Sequence, residues 1–574
     1  MGEEHRVDVD TDVSAGRVAR AETTARAEAK TLAEALVGAC EDLGVQWAFG
    51  LVGGAIAPLC DALHRSTIRC VASRHEAGAA FQALEASIAL DKPTLVFTTT
   101  GPGLINALNG VFAARVEGAR IVVISGATSA GHRGRAAVQE MSDLVLGSSS
   151  EIVSPACDLS VSLEAAEQLS SIVQRIATGF SRPGGFVAHI ALPLAAQRLQ
   201  ASGLSCVSTP PRRSSMSVHD DEVAMLSAAP FVVWVGHGAR RATEAVRQLV
   251  EHSGALVMST PHGKGIFPED HPQFAGVTGF GGHDSVTQMI AAVRPGTVLV
   301  LGSRLGEFSS IWDPRLLPSH VIHVDIDDAA FHVGYPDVRV TSVLADIGAF
   351  CDAMTKRLPA RAPPSWRRPE RVSMPELSAE GPVRPDHLMH MLQRDIVDVS
   401  DAMFFAEPGN SFAWATHHLR FSTPRYRMSG FWASMGHQVA GAVGAALVTQ
   451  KRAVVITGDG SMLMNNEIST AAHYGARVTW IVLNDAAFGI TEHGMRALGY
   501  TPLEPRFPRC DFAMIARGMG ATGFTARTET ELATVIAAAL AVDGPSVVDV
   551  IIDADMHSPF IRRIEALRAM GASG

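Results

Sequence analysis

AVVITGDGSMLMNNEISTAAHYGARVTWIVLNDAA, residues 453–487, is the stretch that decides the fold. It opens on an apolar run, AVVIT (453–457), and turns through Gly458-Asp459-Gly460-Ser461. A helix-like segment, MLMNNEISTAAHYG, leads to a second apolar run, VTWIVL (478–483), which ends at Asn484-Asp485-Ala486-Ala487. Two short, near-continuously apolar strands joined by a helix form a parallel βαβ unit buried on both faces. Parallel strands deliver their carboxyl ends to one sheet edge, so Asp459 and Asp485 emerge together. Glycines at the strand end let the backbone approach phosphate oxygens, and the helix start behind them offers free N–H groups to an anion. Mg²⁺ takes about six oxygens in octahedral geometry. Two carboxylates, one backbone carbonyl, two diphosphate oxygens and a water fill that shell. Alone, Gly-Asp-Gly is an ordinary turn; the second acidic strand end, one βαβ unit on, points to a metal-bridged diphosphate.

The same rhythm runs outward in both directions. TLVFTT (94–99), IVVIS (121–125), FVVWV (231–235), VLVLG (298–302), VIHVDI (321–326) and SVVDVII (546–552) alternate with Ala-rich helical stretches. Residues 206–220 and 359–385 break it with Ser, Pro and Arg and read as linkers. They divide the chain into blocks of 30–205, 221–358 and 386–565, each the size of one doubly wound α/β domain. Residues 1–29, rich in Glu, Asp, Arg and Ala without an apolar core, read as a mobile arm and not as a secretory signal. The composition agrees: 574 residues, 47% hydrophobic and 18% charged, describe large packed cores. A net charge of −10 with no dense basic stripe argues against nucleic acid as the partner. Seven scattered cysteines without a CxxC pair form neither a disulfide framework nor a zinc site, and no window of 18 apolar residues predicts a membrane span. A cytoplasmic protein is expected.

The Gly-Asp-Gly-Ser turn followed by Asn-Asp resembles the thiamine diphosphate signature of the acetohydroxyacid (acetolactate) synthase, pyruvate oxidase and benzaldehyde lyase family. The resemblance implies three α/β domains: pyrimidine-binding (30–205), central Rossmann-like (221–358) and diphosphate-binding (386–565). It implies that Asp459, Asp485 and the Ala487 carbonyl hold Mg²⁺, with Gly458, Gly460, Ser461, Asn484, Phe488, Gly489 and Ile490 around the cofactor. Two departures stand out. The spacing is one residue short, which a deletion near Asn465-Asn466 explains, and the second ligand is Asp where the family more often has Asn.

Three upstream segments match in order. FGLVGGAIAPLCDAL (49–63) resembles FGxPGGAxxPxxDAL, with Val52 in place of Pro and Gly53 and Gly54 retained. Arg74-His75-Glu76-Ala77-Gly78 resembles the segment whose glutamate bonds N1′ of the cofactor and drives it to its basic imino tautomer, which implies Glu76 as the catalytic carboxylate. Read alone, Glu76 is a helix-start charge. TLVFTTTGPGLINALNG (94–110) carries Thr100 and Asn106 of the loop expected beside it. In GATSAGHRGRAAVQE (126–140), Gln139 and Glu140 match the synthase loop, while Val138 replaces its Phe. Gln139 is expected to donate to substrate. His132 and Arg133 are substrate-pocket candidates set against a plain solvated loop, and no His-His pair of the pyruvate decarboxylase kind is present.

The third block matches as well. FFAEPGNSFAWA (404–415) offers Gly409, Asn410 and Ser411 to the diphosphate, and RMSGFWASMGHQ (427–438) resembles the family turn that supports the aminopyrimidine. There the Ala433 carbonyl is expected to accept the 4′-amino group and Met435 to wedge the cofactor into its bent shape, although Met before an Ala/Gly helix is ordinarily core. Ile490, Thr491 and His493 are expected at the substrate. In the middle block Gly236-His237-Gly238 is half a dinucleotide fingerprint, and GSRLGEFSSIW (302–312) departs from the Arg-rich run of flavin-containing synthases, so bound FAD is not expected.

The implied activity is thiamine diphosphate- and Mg²⁺-dependent decarboxylation of a 2-oxo acid, with pyruvate as the expected donor. Carboligation of the acyl anion to an aldehyde, ketone or second 2-oxo acid follows. The alternatives are a C–C lyase or hydrolase of the same superfamily, of hydroxyacyl-CoA or cyclic diketone type, and a non-catalytic cofactor-binding paralogue. By the same resemblance the site lies between subunits of a homodimer or homotetramer.

Overall fold

A computed structural model describes residues 30–141, 152–201, 219–317, 320–369, 376–378, 380–464, 466–560 and 564. The expected arm (1–29), most of the linker 206–220, residues 370–375 and 379 of the linker 359–385, and Asn465 of the shortened spacing lie outside the described residues.

Three six-stranded parallel sheets carry the chain. The first uses β2 (Trp47–Gly50), β3 (Arg69–Ala72), β4 (Thr94–Thr98), β5 (Arg120–Ala127), β6 (Leu159–Ser162) and β7 (Phe186–Pro193), in the order 3-2-4-5-7-6. A two-residue antiparallel pair, β1 (Lys30–Thr31) with β8 (Gln200–Ala201), ties its ends. The middle sheet uses β9 (Phe231–Val235), β10 (Leu256–Ser259), β11 (Phe274–Val277), β12 (Thr297–Leu301), β13 (Val321–Asp325) and β14 (Val340–Leu344), in the order 11-10-9-12-13-14. That is the Rossmann order. The third uses β15 (Met403–Ala406), β16 (Tyr426–Met428), β17 (Ala453–Gly458), β18 (Val478–Asn484), β19 (Thr522–Ala526) and β20 (Ser546–Ile551), in the order 16-15-17-18-20-19. The first and third sheets therefore share one topology, and each is a doubly wound α/β layer.

The order first reverses between β2 and β4 in the first sheet, β9 and β12 in the middle, and β15 and β17 in the third; in the first and third sheets the last two strands also exchange places. The crevice beyond the carboxyl ends at such a reversal is where open α/β sheets bind ligands. In the middle sheet the crevice is tightly closed by its own backbone: the Gly236 N–H bonds the Leu301 carbonyl and the Gly238 N–H the Gly302 carbonyl, both at 2.9 Å. A methyl on Gly236 would stand 2.3 Å from the Gly302 oxygen.

The first and third domains are joined by two small-residue helices, Glu76–Leu90 and His437–Thr449, which share one hydrophobic core. Glycine permits the approach, since a methyl on Gly444 would lie 2.2 Å from the Gln82 carbonyl oxygen. The His437 ring stacks on Phe81 at 4.8 Å. Glu85 accepts both Nε and Nη2 of Arg427 at 3.0 Å, together with His437 Nε2 at 3.0 Å. These contacts fix the helix that begins at Glu76 against the helix that begins just after Met435. Among the described residues no helix is long and apolar enough to cross a membrane.

Candidate active site at the sheet reversals

Strand register places the two aspartates. Gly458 of β17 lies opposite Leu483 of β18, so Asp459 and Asp485 leave the same edge one residue out of step. Asp459 is buried and its carboxylate accepts the backbone N–H groups of Gly460 and Ala486, both at 2.7 Å. Burial, and then the neighbouring Asp485 charge, pushes the Asp459 carboxyl up to about 7. Burial also raises Asp485 to about 6, partly offset by backbone N–H groups and by Arg506 and Arg509. A buried carboxylate raised by the charge of a half-buried neighbour is what a divalent cation would neutralise. Ala487 is buried at the same turn, which Ala486 forms in the left-handed region at φ 57°. Among the described residues no three His, Cys, Asp or Glu side chains converge. A cation here would thus rely on two carboxylates, a carbonyl and ligand oxygens.

The space beside these groups is open. No atom lies within 4 Å of a methyl built on Gly458 or on Gly409, whose φ is +127°. A methyl on Gly489 would instead meet Asp485 Oδ2 at 2.6 Å and Asn410 Nδ2 at 2.9 Å, so these three residues close one corner. Asn410 is held there by Ser558, whose hydroxyl donates to Asn410 Oδ1 at 2.7 Å. The Phe488 ring packs where a methyl on Gly460 would stand, 2.7 Å away. Ser461 is buried, and Ser411 donates its hydroxyl to the Glu407 carbonyl at 2.9 Å. These residues fit a diphosphate with its cation. The Asn484 side chain turns inward, donating to Asp549 Oδ1 at 2.8 Å and the Cys510 carbonyl at 3.0 Å.

The turn 429–436 enters from the β16 side. Ala433 holds φ 49° and Gly436 φ 91°, with the half-buried Met435 between them. Gly436 is the N-cap of helix His437–Thr449 and brings no side chain to its free N–H groups. Glu407 supplies the acceptor, taking the N–H of Gly436 at 2.6 Å, Gln438 at 2.7 Å and Val439 at 3.1 Å.

At the reversal of the first sheet, Glu76 is the first residue of helix Glu76–Leu90 and is buried. Asn106 donates to Glu76 Oε2 at 3.1 Å. Gly103 has to be glycine, because a methyl there would stand 2.8 Å from Thr99 Cγ2 and 3.3 Å from Glu76 Oε1. Thr100 is buried beneath Gly126, and Gly53 packs on Thr99, while Gly54 faces open space. Glu467 of the third domain grips the start of this helix. It accepts the backbone N–H of Arg74 and His75, each at 3.1 Å, and Gln82 Nε2 at 2.9 Å.

The remaining predicted residues are less enclosed. Gln139 is exposed at φ 59°, with Oε1 3.5 Å from the Thr99 hydroxyl, and Val138 beside it is 92% exposed. His132 is exposed on a single turn of 3₁₀ helix, whereas Arg133 is engaged with Glu164 and the Thr128 carbonyl. Ile490 is half-buried and Thr491 exposed on helix Gly489–Ala497. His493 is buried against His557, with ring centroids 4.2 Å apart, and Glu492 is spent on Arg496 and Arg506. Sequence reasoning missed Glu407, Glu467, the Glu85–Arg427–His437 cluster, Ser558 and His557. The one available signal was Glu-Pro-Gly at a strand end; the others look like ordinary polar residues of helices or of the tail.

Family models match all three domains: the N-terminal TPP binding domain of thiamine pyrophosphate enzymes over residues 30–146, their central domain over 223–354, and their C-terminal TPP binding domain over 407–550. The chain belongs to the thiamine diphosphate-dependent enzymes of the acetolactate synthase type. It is 30% identical to a Mycobacterium tuberculosis protein provisionally named an acetolactate synthase large subunit, over 92% of this chain and 99% of that one. It is 27% identical to the acetolactate synthase isozyme 1 large subunit of Escherichia coli, over 93% and 96% of the two chains. Among solved structures, the thiamine diphosphate-dependent 4-hydroxybenzoylformate decarboxylase of Rhodococcus jostii shares the fold, with a TM-score of 0.79 at 21% identity over 91% and 99% of the two chains.

Proposed function

We propose that this protein decarboxylates a 2-oxo acid, with pyruvate as donor, and joins the acyl unit to an aldehyde, ketone or second 2-oxo acid. Thiamine diphosphate, when bound, would supply the electron sink that loss of CO₂ from a 2-oxo acid requires. The protein's part is placement. Asp459, Asp485 and the Ala487 carbonyl hold Mg²⁺ on the diphosphate, and Gly409, Asn410, Ser411, Gly458, Gly460 and Ser461 form its cradle. Glu76, kept in line by Asn106, bonds the pyrimidine ring and holds it in its basic form. The Ala433 carbonyl and Met435 set the ring's height and bend. Gln139, His132, Ile490, Thr491 and His493 face the substrate, and the apolar side chains among them exclude water that would protonate the acyl anion early.

The observation that carries this reading is the placement of Asp459, buried, and Asp485, half-buried and close enough to raise it, at the reversal of the third sheet. The first sheet places Glu76 and Asn106 at its own equivalent reversal. The Glu76 edge of one chain would serve the Asp459 edge of another in a homodimer or homotetramer. The test is incubation with thiamine diphosphate, Mg²⁺, pyruvate and a panel of carbonyl acceptors, following CO₂ and ligated products by mass spectrometry. Pyruvate should be consumed with at least one acceptor, and Glu76→Gln should lose most of that turnover. No consumption with any acceptor sinks the reaction, and an unimpaired Glu76→Gln sinks the role of Glu76.

A further inference from the structure

Glu407 is fully buried, the first residue after β15, and no ion pair joins it among the described residues. A carboxylate in such a place is expensive unless its oxygens are well used. Three backbone N–H groups use them, those of Gly436, Gln438 and Val439. Even so, burial pushes the carboxyl up to about 7.

Helix capping explains two of the three bonds. The helix His437–Thr449 needs an acceptor at its start, and Gly436 has none to give because φ 91° selects glycine there. A cap takes the N–H groups of the second and third helical residues, here Gln438 and Val439. The shortest bond goes elsewhere, to Gly436 N–H at 2.6 Å, the peptide that immediately follows Met435. That bond fixes the exit of a turn whose Ala433 sits at φ 49°, a conformation that persists only where its surroundings impose it. The other end of the same residue reaches the diphosphate side, where the Glu407 carbonyl accepts the Ser411 hydroxyl.

We propose that Glu407 is a positioning residue that sets the height of the Ala433–Met435 turn against the aminopyrimidine of the cofactor. It rests on the thiamine diphosphate reading above and deepens it. Glu407 has no surface open to the cleft, so it acts through the turn and never on the cofactor. Its amide counterpart, Glu407→Gln, keeps the size but turns an NH₂ toward a backbone N–H, which loses at least one bond and opposes two donors.

The test uses the full chain with thiamine diphosphate and Mg²⁺. Cofactor affinity is read by quenching of tryptophan fluorescence, and exchange of the cofactor's C2 proton with D₂O by quench-flow NMR. Glu407→Gln, with thermal unfolding close to wild type, should bind cofactor about tenfold more weakly and slow C2 exchange tenfold or more. Glu407→Asp, which retains the charge one methylene short, should recover part of that rate. Wild-type exchange in the folded, cofactor-loaded Glu407→Gln overturns the proposal. Should Glu407→Gln fail to fold, Glu407→Asp decides alone, slowed exchange supporting the proposal and unchanged exchange overturning it. Failure of the wild type to bind the cofactor is a separate result: it removes the site reading itself, and the role of Glu407 with it.

Discussion

Glu85→Gln is the sharpest test of how the first and third domains of one chain are held together. Glu85 is 1% exposed and receives Arg427 through two bonds of 3.0 Å, with His437 and Gln438 on the same oxygen at 3.0 and 3.2 Å. Burial alone would raise its carboxyl, but the Arg427 charge and the His437 bond outweigh it and hold it well below the ordinary range. The amide leaves the buried Arg427 with Glu117 at 3.8 Å as its remaining carboxylate. Removing one member of a buried pair costs about 3–5 kcal/mol, because the other charge stays desolvated. Glu117 offsets some of this, so about 3 kcal/mol is expected. In a domain of this size each kcal/mol lowers the midpoint by roughly 2–4 °C, so the shift should be roughly 6–12 °C. Differential scanning calorimetry should show it in the first transition, since a three-domain chain does not melt in one step. Adding Arg427→Met to Glu85→Gln removes the stranded cation and should recover several degrees. A single variant within about 2 °C of wild type, or a double variant whose losses simply add, would refute the argument.

Two further outcomes follow from the same physics. Asp485→Asn removes the charge that helps to raise Asp459 while keeping an oxygen ligand, so affinity for thiamine diphosphate with Mg²⁺ should stay within about threefold of wild type; isothermal titration checks this, and loss of binding would refute the metal assignment. His189 is fully buried between the Ser125 and Ser160 hydroxyls, at 2.9 and 3.0 Å, and burial lowers it to about 4. Its folded value lies below the unfolded value of about 6.5, so its contribution is complete above pH 6.5 and is lost as pH falls toward 4, with about 2 kcal/mol gone at pH 5. Urea unfolding at pH 7.5 and 5 should show a steeper loss for wild type than for His189→Gln, and parallel losses would disprove it.

Legibility in the sequence followed burial. The apolar runs that could be read directly became β4, β5, β9, β12, β13, β17, β18 and β20, all flanked by other strands and covered on both faces, so that nearly every position is apolar. Edge strands gave no such run: Arg69–Ala72 buries one residue of four, and Tyr426–Met428 carries Arg427 at its centre. Phe186–Pro193 is buried throughout yet was hidden by His189, whose polarity is satisfied by two serines distant in sequence. The site divided the same way. Asp459 and Glu76 sit in local patterns of glycine, strand and helix that a sequence displays. Glu407 and Glu467 act through backbone N–H groups 29 and 393 residues away, and no local pattern records such partners.

The exposed apolar side chains bear on how the two edges are used. Val52, Ile105 and Val138 stand at the carboxyl edge of the first sheet, and Phe431, Leu463, Met464 and Phe488 at that of the third, between 41% and 92% exposed. Isolated exposed apolar residues need no explanation, but two clusters at the two sheet reversals do. Each cluster rims one half of the candidate site, and a symmetric pair of chains would cover both at once, since an isologous contact uses each surface twice. Two of the departures from the synthase pattern fall on this rim: Val52 in place of Pro and Val138 in place of Phe are 72% and 92% exposed. Asp459, Ser411 and Glu76, by contrast, are buried. The departures thus divide between the exposed rim, at Val52 and Val138, and the candidate cation site, at Asp485.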